Sequence, residues 1–298
     1  MEHMNKRDDP EYVTRILDQK SQSDPKEIAI REKIQALVFA EQWAKDAFVV
    51  IRDRQINYLK DAVAHREDPR YIHDLTQRAL EEVAGLVKTK IVEGAELLEK
   101  IPSGSPVLIA TNHFGAYKLL GVDPKEDIGV DIPGYRAMYP YLMYFAALRP
   151  VAERLQDGLY YASNDFPGVF GEIHTSAGFI HVPALAESKT AALIEQTKAA
   201  IAKRRNAAIV NYPEGTTSGK PTGGSPYELN PFKTGAYVIA SDLGMHVIAV
   251  AQYFDPHGGF ELKVFEPFVP EKTDRAGYEA YAQRDHARMQ KWLEGRAS

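Results

Sequence analysis

Apolar residues recur along this chain at two different spacings, and the change from one to the other divides it. Over residues 27–64, Ile30, Ile34, Leu37, Val38, Ala44, Phe48, Ile51 and Leu59 return at three- and four-residue steps. That period predicts one long helix, with Asp24-Pro25 as its cap and first-turn proline. Leu75, Leu80, Val83, Leu86 and Val87 predict a second helix over residues 71–90, set apart by Asp68-Pro69. A short helix also fits residues 10–19. The two long helices read as an antiparallel pair packed on the rest of the chain. The lesser alternative is that their apolar face is a dimer or membrane-docking surface.

From Val107 onward the pattern shifts to short apolar runs alternating with amphipathic stretches. Val107, Leu108, Ile109 and Ala110 follow the turn-like Pro102-Ser103-Gly104-Ser105-Pro106 and read as a buried strand. Strands are expected again at 177–182, 207–210, 247–252 and 260–265, and helices at 187–205, 232–243 and 276–293. Such alternation implies the α/β class: a central mostly parallel or mixed sheet flanked by helices. The expected division is an N-terminal helical subdomain over residues 1–87 and an α/β domain over residues 88–298. Residues 138–148 and 151–162 are rich in aromatic side chains, among them Tyr139, Tyr141, Tyr144, Phe145, Tyr160 and Tyr161. They suit either an acyl or aromatic pocket or amphipathic core helices. Residues 218–226 read as a flexible loop able to serve as a lid.

Composition narrows the partners. The chain has 298 residues, enough to bury a large core, and its 44% hydrophobic and 26% charged content is that of globular material. With no cysteine it has no disulfide framework, thiolate nucleophile or cysteine-ligated zinc. A net charge of −5 without a long basic tract argues against nucleic acid. No apolar run approaches the roughly 18 residues of a spanning helix, and the first residues lack the order of a signal peptide. A cytoplasmic protein is expected, with any membrane contact peripheral. The loop at residues 121–131 carries four carboxylates (Asp123, Glu126, Asp127, Asp131) without regular ligand spacing, so no metal is expected there.

Two stretches carry candidate chemistry. The strand at 107–110 ends abruptly in Thr111-Asn112-His113, and Phe114-Gly115-Ala116-Tyr117 can start a helix. In α/β proteins, ligands gather beyond the carboxyl ends of the strands, so His113 is placed to act as a general base. The strand at 207–210 likewise runs into a turn, Tyr212-Pro213-Glu214-Gly215-Thr216, which carries a carboxylate.

Together these stretches resemble two motifs of the glycerolipid acyltransferase family, an Asn-His that opens a His-x4-Asp motif and, about a hundred residues later, Phe-Pro-Glu-Gly-Thr-Arg-Ser. Ile91-Val92-Glu93-Gly94 with Leu97-Leu98 is similar to the family's lead-in to the first strand, and Pro231-Phe232-Lys233-Thr234-Gly235-Ala236 to its Pro-Phe-Lys-x-Gly-Ala segment. The resemblance covers residues 88–270. It implies a transferase of phospholipid or lipid metabolism that moves an acyl group from coenzyme A or acyl carrier protein to a hydroxyl or amine. No cofactor is implied beyond that thioester donor, and the acceptor would be a small molecule or a lipid. His113 would be the base, with Glu214 beside it positioning the acceptor or bracing the site. Asn112, Gly115, Lys118, Pro213, Gly215, Thr216 and Thr217 would border the substrates, and amides near Phe114-Gly115-Ala116 would face the oxyanion.

The departures shape the expectation. Lys118 stands where the family has the aspartate that orients the histidine, and a lysine cannot accept a hydrogen bond from an imidazole. Asp123, before Pro124, would replace that aspartate if five residues are inserted. The family's phosphate-binding arginines are missing as well: Thr217 holds one position, and no arginine occurs between Gly178 and Lys203. An acceptor without the glycerol phosphate group follows, with a non-catalytic acyl- or lipid-binding protein and a thioester hydrolase as the alternatives.

Overall fold

The structure is a computed structural model that describes residues 9–19, 25–36, 41–114, 130–132, 135–137, 146–155, 158–164, 168–182, 189–203, 207–216, 218–219, 224–255 and 257–297. Four helices come first: α1 (Pro10–Gln19), α2 (Pro25–Gln35), α3 (Gln42–Ala64) and α4 (Pro69–Leu86). The single helix expected over residues 27–64 is therefore two. Glu41, the N-cap of α3, is extended at φ −63° and ψ 157°, which stops a helix from running through it. The two pieces fold back on each other. Arg31 of α2 pairs with Asp53 of α3, while Gln42 Nε2 donates to Gln35 Oε1 at 2.9 Å and Lys45 Nζ to the Gln35 carbonyl at 3.0 Å.

Helix α4 starts where Asp68 Oδ1 accepts the N–H groups of Arg70 and Tyr71, both at 3.0 Å, with Pro69 in the first turn. It ends at Leu86, short of the residue 90 expected, because Lys90–Glu93 forms strand β1. The apolar face of the helices is turned inward. Val13, Leu17, Ile34, Phe48, Ile51, Leu59, Ile72, Leu80 and Val83 are each at most 1% exposed and belong to one cluster with Phe254, Phe260 and Leu262 of the sheet. That face is internal packing, not the dimer or membrane surface weighed above. Among the described residues no helix is long and apolar enough to cross a membrane.

After β1 come a 3-10 turn at Ala95–Lys100, β2 (Val107–Thr111), the short antiparallel pair β3 (Val130–Ile132) and β4 (Tyr135–Ala137), α5 (Arg149–Arg154), β5 (Gly158–Asn164), α6 (Val169–Ala177), β6 (Phe179–Val182), α7 (Lys189–Lys203), β7 (Ala207–Asn211), α8 (Gly235–Leu243), β8 (His246–Asp255), β9 (Gly259–Val264) and α9 (Arg275–Ala297). Residues 158–162, weighed above as helix, are strand; α6 and the β3–β4 pair had no counterpart in the sequence reading.

Among the described residues, seven strands form the main sheet in the order β1-β9-β8-β2-β7-β5-β6, parallel throughout except for the β8–β9 hairpin. The fold is α/β with a mixed, mostly parallel sheet. Strand β2 lies in the middle, covered on both faces and buried at all five residues, which explains its unbroken apolar run. The family-like lead-in before it is structural. Gly94 turns at φ +78° with its Cα against the Val264 carbonyl, and Leu98 is buried beyond it.

Candidate active site

Parallel pairing brings the two candidate stretches together. Strand β2 pairs with β7 so that Ala110 faces Asn211, and both chains leave the sheet at the same edge. His113 and Glu214 thus meet although 101 residues separate them. Glu214 Oε1 accepts the backbone N–H of His113 at 2.9 Å. The His113 carbonyl accepts the backbone N–H of Ser218 at 2.9 Å, closing the second turn around the first.

Glu214 itself is 2% exposed and fully engaged. Besides the His113 N–H, its Oε1 accepts the Ser218 hydroxyl at 2.7 Å. Its Oε2 accepts the backbone N–H of Asn230 at 2.8 Å and the Asn230 side-chain amide at 3.0 Å. Four donors on two oxygens make this carboxylate a clasp joining the β2 turn, the β7 turn and the segment before α8. Burial raises its pKa, and the bonds from Ser218, Asn230 and His113 oppose the rise. Of the two roles expected for Glu214, bracing the site matches this arrangement. Positioning an acceptor directly does not, since its oxygens are occupied.

Asn112 is bound in a similar way. It is fully buried, its Oδ1 accepts the Gln252 N–H at 2.8 Å, and its Nδ2 donates to the Gln252 carbonyl at 3.1 Å. The side-chain amide thereby extends the β2–β8 ladder one step past the strand. Thr111 and the Gln252 side chain complete the layer through bonds of 2.8 and 2.7 Å. The bonds that the Asn112 side chain makes here are structural, to the backbone of Gln252.

His113 is half-buried, whereas its neighbours Asn112 and Phe114 are buried. Its ring lies against Tyr212, with centroids 4.6 Å apart and planes at 45°. Behind it Phe114 packs on Tyr227 and Phe260 at 5.7 and 5.4 Å, so rings fill the space on the sheet side. Pro213 is buried, Thr216 is half-buried and Gly215 is exposed. Of the remaining expected site residues, Gly115, Lys118, Asp123 and Thr217 lie outside the described residues. So do the acidic loop up to residue 129, residues 220–223 of the lid candidate, and the amides proposed for the oxyanion beyond Phe114.

Sequence reasoning missed four contributors. Ser218 was assigned to the loop, yet it is buried against Glu214. Asn230 and Gln252 sit in no motif that names them. Tyr212 was quoted as part of a motif but given no role, and its aromatic position next to Pro213 was the available signal.

Fold and site together define an α/β protein with a histidine at the carboxyl edge of a mainly parallel sheet, held there by a buried glutamate from the neighbouring strand. No family model matches the chain, and no curated protein matches it. Among solved structures it is similar to the 1-acyl-sn-glycerophosphate (LPA) acyltransferase PlsC from Thermotoga maritima, with 14% identity over 90% of this chain and 95% of that one, at a TM-score of 0.46. A likeness of that size assigns no residue a role.

Proposed function

We infer that this chain is an acyltransferase that moves an acyl group from a thioester carrier, acyl-coenzyme A or acyl carrier protein, to a hydroxyl or amine acceptor. The observation that carries the reading is the union of the two motif-bearing turns around one half-buried imidazole. Glu214 grips the backbone of His113, whose side chain stays half-buried against Tyr212.

In the proposed reaction His113 takes the proton from the acceptor as its oxygen or nitrogen attacks the thioester carbonyl. An imidazole titrates near working pH and suits that step. The tetrahedral intermediate collapses with loss of the carrier thiolate, which recovers the proton from the imidazolium. Tyr212 limits where the ring can turn, and orientation of this kind is worth orders of magnitude in rate. Glu214 contributes by fixing the backbone, not by accepting a proton. The acceptor lacks a phosphate: Thr217 stands in place of one expected arginine, and no arginine lies in residues 178–203. A phosphate stripped of water needs charge-assisted donors.

The test is mass spectrometry of the purified protein incubated with acyl-coenzyme A or acyl carrier protein. Glycerol 3-phosphate, its monoacyl form and non-phosphorylated alcohols are compared side by side. Acylated alcohol is the expected product. Free fatty acid alone would mean hydrolysis instead, and no thioester loss with any donor would leave only binding.

A further inference from the structure

We propose that Lys233 is the anion-binding residue of this site and that its ammonium takes a single carboxylate on the acceptor. The proposal rests on the acyl-transfer reading for the acceptor's place beside His113. Lys233 is anchored from below: its backbone N–H donates to the Pro213 carbonyl at 2.8 Å, on the turn that carries Glu214. Its side chain folds over Gly215. A Cβ at residue 215 would overlap Nζ, and the backbone there sits at φ +66°, so glycine both permits the turn and leaves room for the amine. Gly215 and Lys233 are both exposed, which puts the ammonium at the open mouth of the turn that wraps His113.

Nothing described neutralises it. The carboxylate of the turn it covers, Glu214, is buried with both oxygens bound elsewhere. Among the described residues no carboxylate pairs with Lys233. The first amides of α8 (Gly235–Leu243) lie two residues on and add positive potential to this segment. One ammonium balances the single charge of a carboxylate, whereas a phosphate dianion would keep one charge unpaired and the desolvation cost that goes with it. Lys233 therefore supplies a positive charge to a chain that has Thr217 in place of the expected arginine in sequence, and its chemistry narrows the acceptor to a hydroxy or amino acid of low charge.

The test needs no turnover. The full chain, with lysine side chains isotope-labelled, is titrated by NMR with glycerate, glycerol and glycerol 3-phosphate while the Lys233 and His113 side-chain signals are followed. Glycerate should saturate both and bind more tightly than the other two. Lys233→Gln should weaken glycerate roughly tenfold, the scale of one lost charge-assisted bond, with an unchanged melting temperature. Lys233→Arg should return the affinity to within about threefold of the parent, since it restores the charge. Equal glycerate binding by parent and Lys233→Gln overturns the proposal. So does a preference for glycerol 3-phosphate. A parent chain that binds glycerate through Lys233 yet never transfers an acyl group keeps the subsite and refutes the acyl-transfer reading. Transfer that proceeds equally well in Lys233→Gln, with glycerate as acceptor, keeps that reading and refutes the subsite.

Discussion

Replacing Glu214 with Gln asks whether this residue is a clasp or a reagent. The parent carboxylate accepts four hydrogen bonds, two on each oxygen. A glutamine of the same shape keeps one acceptor oxygen and turns its amide toward two donors, so two bonds are lost. At about 1.5–3 kcal/mol for a bond to a charged group, that loss is roughly 3–6 kcal/mol. Removing the charge returns part of the desolvation cost that raises the pKa of Glu214. The net expectation is a destabilisation of about 2–4 kcal/mol, or on the order of 3–6 °C in melting temperature for a chain of this size. Glu214→Ala strands all four donors and should cost more than Glu214→Gln. Urea and thermal unfolding read both values directly. A Glu214→Gln variant that melts within about 1 °C of the parent would refute the clasp and return Glu214 to a role in the chemistry.

Three further outcomes are expected. His113→Ala should abolish acyl transfer while lowering the melting temperature by no more than a few degrees, because a half-buried ring against Tyr212 carries little of the core; full activity would place the base elsewhere. Gly94→Ala should cost more than about 3 kcal/mol, since residue 94 is left-handed and a Cβ would strike the Val264 carbonyl; a calorimetric loss below about 1 kcal/mol would count against that geometry. The Glu41–His257 pair should respond to pH in a defined window. Their hydrogen bond of 2.8 Å chiefly holds the imidazole above its ordinary value of 6.5 and the carboxyl below its ordinary 4.5. The histidine part is complete below 6.5 and is lost as pH rises through the raised value; the glutamate part is complete above 4.5 and is lost as pH falls through the lowered one. The contact between the start of α3 and the β8–β9 turn is therefore fullest between 4.5 and 6.5. Glu41→Gln should lower the NMR titration of His257 toward its ordinary value, and an unmoved titration would disprove the coupling.

Local pattern determined much of this protein. The buried run at Val107, Leu108, Ile109 and Ala110 marked the central strand, since a strand covered on both faces has no polar side to show. Asp68-Pro69 fixed the start of α4 because cap and first-turn chemistry act within four residues. Asn112-His113 and Glu214 were both marked as strand-end residues. Where two signals overlapped, pattern failed. The helical period of residues 27–64 runs on through the break at Glu41, because α2 and α3 bury the same kind of face after folding back on each other. Residues 158–162 carry aromatic side chains that suit helix or strand alike, and only pairing of β5 with β6 and β7 makes them strand. What each site residue does was decided by tertiary contacts. Nothing near Asn112 in sequence states that its amide will pair with Gln252, and nothing near Glu214 states that its partners are His113 and Asn230. Hydrogen-bond partners set across the sheet are properties of register, and register is fixed only when β2, β7 and β8 pack together.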